Sequence, residues 1–463
     1  MKQPFLRDFF MRHHVLVILG LLLGNTLHAA EKEAPPPFDW VIQAGGKLHD
    51  KTRGIAVDGK GNVYLTGEFT GTATFGEFTL TSNKLMDFFI AKVDPKGKFL
   101  WVRSGGGSKI DRGYAIAVDN AGNSYVTGHY ESTDAKFEEV SLPNSGDYDI
   151  FVAKYDSSGK MLWIKTAGGK GYDYGHGIAV DSLGNLFVTG ALTGEGTFDE
   201  VKLSEPGTSR VFCARYTTDG KLLWVKAPQG KGNSSGHGIA VDGKGNCFVG
   251  GHTGGEGSFG DTKLTNLMGR DILIAKLDAS GKVHWIAQGH GSSGAMIHEI
   301  TADKKGNVWA SGMFKGDLKL KDRVVKSNGD SDLLLMSFGA DGSELWTKTA
   351  GGPGIDYGLG VATDNQGNSF LTGSFTGKVL FEGEEKTSSS SSDIFVISFD
   401  RAGKARWFNQ VPGKGTDHAY SIVADASGNL YLSGACSGNA MFGKHEFTNL
   451  GSNDIFLAKI KTR

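Results

Sequence analysis

Three histidines, His176, His237 and His298, recur at intervals of 61 residues in this chain of 463. Neutral imidazoles held at one equivalent position of neighbouring units would converge towards a common axis. There they would bind a transition metal, a divalent ion above all, and leave coordination positions open for water or substrate. Other units carry Arg53, Tyr114, Leu359 and Tyr420 at the same position, so its symmetry is broken. Packing among Tyr114 and Tyr420 is the plainer reading of the same histidines. Glu299 and His290 stand close enough in sequence to join such a site. Three residues ahead of this ring runs a second one: Asp50, Asp111, Asp173, Ser234, Ala295, Asp356 and Asp417. Carboxylates circling a channel mouth would hold a hard cation, or accept hydrogen bonds from sugar hydroxyls or amines. Recurrence in five units favours a local role instead, each aspartate binding backbone amides of its own loop. Asp50, Asp111, Asp173, Asp356 and Asp417, with Arg53, Tyr114 and Tyr420, are the candidate ligand-binding residues. A third ring, Asp87, Asp149, Asp271, Asp332, Asp393 and Asp454, is interrupted only by Arg210 and reads as a repeated structural hydrogen bond.

The elements that position these residues follow from a longer rhythm. Trp40, Trp101, Trp163, Trp224, Trp285, Trp346 and Trp407 are spaced by 61 residues, with one step of 62. Asn62, Asn123, Asn185, Asn246, Asn307, Asn368 and Asn429 keep the same beat. A period of this kind marks a repeat architecture. In the first unit, Gly54–Asp58 and Val63–Phe69 read as strands around the turn 59–62, and Phe88–Val93 and Phe99–Arg103 as two more around Asp94–Lys98. The 70–86 segment carries signals for a small hairpin, and the glycine-rich 104–112 stretch reads as a crossing to the next unit. Four antiparallel strands repeated about an axis make a β-propeller blade. The expected fold is all-β: a single seven-bladed propeller over 38–463. Trp40 sits on an orphan strand that would complete the last blade and close the ring, removing an exposed edge. Strand order puts the short turns on one face and the long, variable loops on the other, which makes the loop-rich face the candidate binding face.

The motifs carry a resemblance. Gly177-Ile178-Ala179-Val180-Asp181, followed by Gly184-Asn185-Leu186-Phe187-Val188-Thr189-Gly190, resembles the bacterial seven-bladed β-propeller repeat (SBBP) family. So does Asp149-Ile150-Phe151-Val152-Ala153-Lys154-Tyr155-Asp156 with Gly159-Lys160-Met161-Leu162-Trp163. The resemblance spans about residues 39–463. It implies the fold and carries no general activity or shared catalytic residue.

Composition narrows the function. The net charge of −1, with both signs scattered, excludes a nucleic-acid footprint. The 70 glycines recur at fixed places beside Val, Ile and Phe, as turn residues do. Residues 1–30 read as a cleaved secretory signal: Lys2, Arg7 and Arg12 precede an apolar run from Val15 to Leu23, with Ala29 and Ala30 at the cut. A short Pro-rich leader, 31–37, follows. The mature chain is expected to be exported from a bacterium, to the periplasm, cell surface or medium, monomeric and without a transmembrane anchor. Cys213, Cys247 and Cys436 fall at positions held elsewhere by apolar residues and read as core fillers. No His-Glu-x-x-His, phosphate loop or Cys-x-x-Cys pair is present. The leading expectation is a non-catalytic binding or scaffold protein that presents its loop-rich face to an extracellular or envelope carbohydrate or protein. A metal-assisted lyase or hydrolase at the channel mouth, with Asp173 or Glu299 as base, is the alternative. A quinone-cofactor dehydrogenase is a distant one. It rests on the similarity of Ala153-Lys154-Tyr155-Asp156, Gly159-Lys160 and Trp163 to the tryptophan motif of quinoprotein propellers.

Overall fold

The structure, a computed structural model, describes residues 33–204, 209–230, 232–265 and 269–462. The expected signal segment lies outside them. Within them the regular structure is β, and no helix is long and apolar enough to cross a membrane. The repeat reads out as antiparallel four-stranded meanders. The second repeat shows the plan: Asp111–Val118 pairs with Ser124–Tyr130, which pairs with Asp149–Tyr155, which pairs with Met161–Gly169. The middle strands are buried throughout, which is why they read as unbroken apolar runs.

The innermost strands are Lys51–Val57, Asp111–Val118, Tyr174–Val180, Ser235–Val241, Ala295–Ala302, Tyr357–Thr363 and Asp417–Ala424. Each touches the next in chain order, and Asp417–Ala424 touches Lys51–Val57. The strand Phe38–Gly46 pairs antiparallel with Asp454–Ile460, aligning Trp40 with Lys459 and Ala44 with Ile455. The leader is docked rather than loose. Glu33 pairs with Arg406 at 2.8 Å, Asn409 donates to the Pro36 carbonyl, and Lys461 N donates to the Pro37 carbonyl.

Two boundaries differ from expectation for the same reason. The first repeat's second and third strands run on, as Val63–Phe75 and Phe78–Val93, so its hairpin is continuous with the meander. The glycine-rich crossing is strand up to Gly106, because Gly105 and Gly106 pair with Phe137 and Lys136 of the following unit's small hairpin. Equivalent hairpin contacts join Ala167 to Phe198, Gln229 to Ser258 and His290 to Lys319. Long-range pairing thus decides structure that local glycine content would have assigned to loop.

Tryptophan and turn glycine interlock neighbouring units. Trp101 Nε1 donates to the Ser157 carbonyl at 3.1 Å, and the indole lies against Gly159, whose φ is +83°. Trp163, Trp224, Trp285 and Trp346 repeat the bond one unit further on, to Thr218, Ala279, Ala340 and Arg401. The Asn beat has a local cause. Asp58 accepts from Lys60 N, Asn62 N and Asn62 Nδ2, closing the inner turn, and Asp119, Asp181 and Asp242 do the same. All three cysteines are buried thiols, with Cys213 Sγ 3.7 Å from Cys247 Sγ.

Candidate functional site

The inner strands share one irregularity. Register shifts between Thr52 and Gly54, Gly113 and Ala115, Gly175 and Gly177, and Gly236 and Gly238. It shifts likewise between Ile297 and Glu299, Gly358 and Gly360, and Ala419 and Ser421. The residue left unpaired at each β-bulge is Arg53, Tyr114, His176, His237, His298, Leu359 or Tyr420. A bulge re-aims a side chain that the pleat would otherwise place in the sheet face. These seven residues form the collar of an axial cavity of about 470 Å³. Beneath them lies an aliphatic floor of Ile55, Ile116, Ile178, Ile239, Ile300, Val361 and Ile422.

The collar is a chain of ring contacts rather than a set of convergent ligands. Tyr114 meets His176 edge-on at 4.8 Å, His176 stacks on His237 at 5.1 Å with 11° between planes, and His237 meets His298 at 6.1 Å. Two of the imidazole nitrogens have neighbours within the protein. His176 Nδ1 lies 3.2 Å from the Gly236 carbonyl, and His237 Nε2 lies 3.2 Å from His252 Nδ1. Among the described residues no group of three or more His, Cys, Asp or Glu side chains is placed to hold a metal. His176, His237 and His298, expected to converge on an ion, line the cavity together. Burial keeps them neutral, lowering His176 and His298 to about 4 and His237 further.

Blade-like neighbours give the collar its charge. Arg53 makes a two-pronged bond to the buried Glu68, Nε to Oε2 at 2.6 Å and Nη2 to Oε1 at 2.8 Å, and lies over the Tyr114 ring at 4.5 Å. Lys51 sits 4.2 Å above Tyr420, its pKa lowered to about 8 by burial and by Arg53. Beside the collar, Tyr148 stacks on the fully buried His129 at 4.5 Å and meets Tyr172 at 5.1 Å, and Tyr172 remains 50% exposed. Sequence spacing alone did not single out Glu68, His129 or His252. They share one position of the second strand, and that periodicity was the available signal.

The aspartates serve their own loops. Asp50, Asp111, Asp173, Asp356 and Asp417 are buried, and none lines the cavity. Asp50 accepts from Gly46 N and Thr70 N, Asp173 from Gly169 N and Thr193 N, and Asp356 from Gly352 N and Thr376 N. Asp111 takes Gly107 N and the Ser132 hydroxyl, and Asp417 takes Ser437 N. The first four named here each tie a crossing to the end of the second strand of their unit, whereas Asp417 Oδ2 has no hydrogen-bond partner among the described residues. Burial raises Asp50 and Asp356 to about 6, and Asp173 and Asp417 to about 7. Asp173 is thus engaged by backbone amides, and His290 is held by Asp271 at 2.8 Å. Gly232-Asn233-Ser234-Ser235-Gly236 has the Gly-x-Ser-x-Gly spacing, yet Ser234 is buried and its Oγ accepts from Val211 N.

Comparison with known proteins returns the repeat. Residues 39–68, 103–129 and 162–191 match the SBBP family, described as Beta-propeller repeat. An uncharacterized WD repeat-containing protein of Acanthamoeba polyphaga mimivirus is 21% identical over 85% of this chain and 36% of its own length. The Regulatory protein FlaEY of Caulobacter vibrioides is 23% identical over 83% of this chain and 43% of its own. The chain therefore spans less than half the length of these curated relatives. Among solved structures, a gluconolactonase of Xanthomonas campestris aligns with a TM-score of 0.35 at 12% identity, over 74% of this chain and 95% of that one. By its antiparallel meanders and its three family matches, this chain is a beta-propeller repeat protein.

Proposed function

We propose that the chain is an exported, non-catalytic binding protein, a single seven-bladed propeller whose loop-rich face takes an extracellular or envelope carbohydrate or protein. The observation that carries this reading is the axial cavity, whose collar breaks the symmetry of the repeat while its aliphatic floor keeps it. Structural devices such as the Asp–Asn turn recur in unit after unit; a ligand site needs unlike groups at like positions. The unbroken cycle of inner-strand contacts and the pairing of Phe38–Gly46 with Asp454–Ile460 support the closed ring. The basic n-region and apolar run of residues 1–30 support export. Tyr148 and Tyr172, beside the cavity mouth, offer aromatic faces of the kind that sugar rings and protein side chains stack on.

The reading is tested by screening the purified chain against bacterial envelope oligosaccharides and solubilised envelope proteins. Tyr172→Ala, on the loop-rich face, is expected to weaken the ligand found at least tenfold. Lys96→Ala, on the opposite face, is expected to leave it unchanged. The reverse pattern, or silence across the screen, overturns the proposal.

A further inference from the structure

Glu299 stands where the fold tolerates almost no side chain. The equivalent position reads Gly54, Ala115, Gly177, Gly238, Gly360 and Ser421 in the other repeats. The reason is crowding between inner strands: a Cβ on Gly54 would come 2.9 Å from the Tyr114 carbonyl oxygen, and one on Gly238 would come 2.8 Å from Ile300 N. A glutamate here departs from the packing rule that the rest of the ring obeys, and it is among the residues that line the axial cavity. Its carboxyl accepts one bond, from the adjacent Ile300 N at 3.1 Å, and has no ion-pair partner among the described residues. Burial raises it to about 7. A buried carboxyl without a counter-charge is costly, so it persists where something else compensates.

The opposite wall has the complementary property. Lys51–Val57 is separated from Ala295–Ala302 by three inner strands one way around the contact cycle and two the other, so Arg53 and Glu299 belong to opposite sides of the cavity. Arg53 spends Nε and Nη2 on Glu68, and Nη1 is left without a hydrogen-bond partner among the described residues. Lys51, behind the lining and over the Tyr420 ring, adds a second cation beside the Arg53–Glu68 pair. Between the poles lie neutral imidazoles and phenols, and below them the aliphatic ring. His298 Nε2, next to Glu299, has no hydrogen-bond partner either.

We infer that the cavity is a receptor for a compact zwitterion with an apolar body, of the α-amino-acid class, its ammonium at Glu299 and its carboxylate at Arg53. The aliphatic floor takes the side chain, and the two poles favour a ligand with both charges over one that carries charge of one sign only. This inference rests on the reading of the axial cavity as a ligand site, and it names the ligand chemistry that reading leaves open.

Isothermal titration of the purified chain with three related probes tests it. L-Leucine carries both charges and an apolar body; 3-methylbutylamine lacks the carboxylate, and 4-methylpentanoate lacks the ammonium. Leucine is expected to bind at least tenfold more tightly than either single-charge probe. Glu299→Gln, close in shape and without the charge, should weaken leucine at least tenfold while leaving 4-methylpentanoate unchanged. Arg53→Gln, retaining the Glu68 contact through its amide, should weaken leucine and spare 3-methylbutylamine. Unchanged thermal melting of both variants shows that they are folded. Equal affinity for all three probes, or leucine binding indifferent to Glu299→Gln, overturns the inference. If leucine is silent while an envelope glycan binds and responds to Tyr172→Ala, the zwitterion falls and the binding-face reading stands. If leucine binds as expected and the envelope screen is silent, the cavity chemistry stands without that face.

Discussion

At the residue scale the collar shows what spacing alone can and cannot convey. The interval of 61 residues places Arg53, Tyr114, His176, His237, His298, Leu359 and Tyr420 on one ring, and the cavity lining agrees. It says nothing of ring planes, which the structure adds: His176 and His237 lie 5.1 Å apart with 11° between their planes. For the aspartates, type and recurrence named the hydrogen-bonding role, but their depth depended on crossings whose amides turn inward to meet them. The neutral collar has a measurable consequence. His176 has a folded-state pKa of about 4 against 6.5 for the free side chain, because burial penalises the cation. Its stabilising contribution is fully present above about pH 6.5 and is lost as pH falls towards 4. Urea unfolding of His176→Gln and the parent chain at pH 7.5 and 5.0 is expected to show the variant gaining on the parent at the lower pH. The relative gain should reach on the order of 2 kcal/mol. Parallel pH profiles would show that the ring is not held neutral.

At the element scale the structure is a set of meanders stitched sideways. Strand positions, turns and the tryptophan beat were legible because each is a local pattern repeated at a fixed interval. The ends of the crossings were not, since partners in another repeat decide them: Gly106 is strand because Lys136 of the next unit pairs with it. The tryptophan stitch is the most exposed to test. Gly159 combines a φ of +83° with an ideal Cβ only 2.6 Å from Trp101 Cδ2, so a methyl group there meets both backbone strain and an indole. Gly159→Ala is expected to destabilise the chain by about 1–3 kcal/mol in urea unfolding and to shift the tryptophan fluorescence. Gly59, with open space around it and no positive φ, is the control, and Gly59→Ala should be near neutral. Equal effects at the two glycines would refute the stitch.

At the scale of the whole molecule the seam between Phe38–Gly46 and Asp454–Ile460 stands apart from every other outer pairing. Deleting residues 38–44 removes the strand that carries Trp40 and bares the Asp454–Ile460 edge. The shortened chain is expected to melt several degrees lower and to associate at high concentration, read by differential scanning calorimetry and light scattering. Unchanged melting would show that the pairing contributes nothing to closure. The seam also sets a timetable. Within a meander, partners are made tens of residues apart and can pair as soon as both exist. Ile42 must wait for Leu457, nearly the full chain away. The entropy of closing so long a loop grows only with the logarithm of its length, so the thermodynamic cost over a short loop is modest. The kinetic consequence is larger, because contacts so distant in sequence form late. During synthesis Phe38–Gly46 must therefore wait, without this partner, until Asp454–Ile460 has been made.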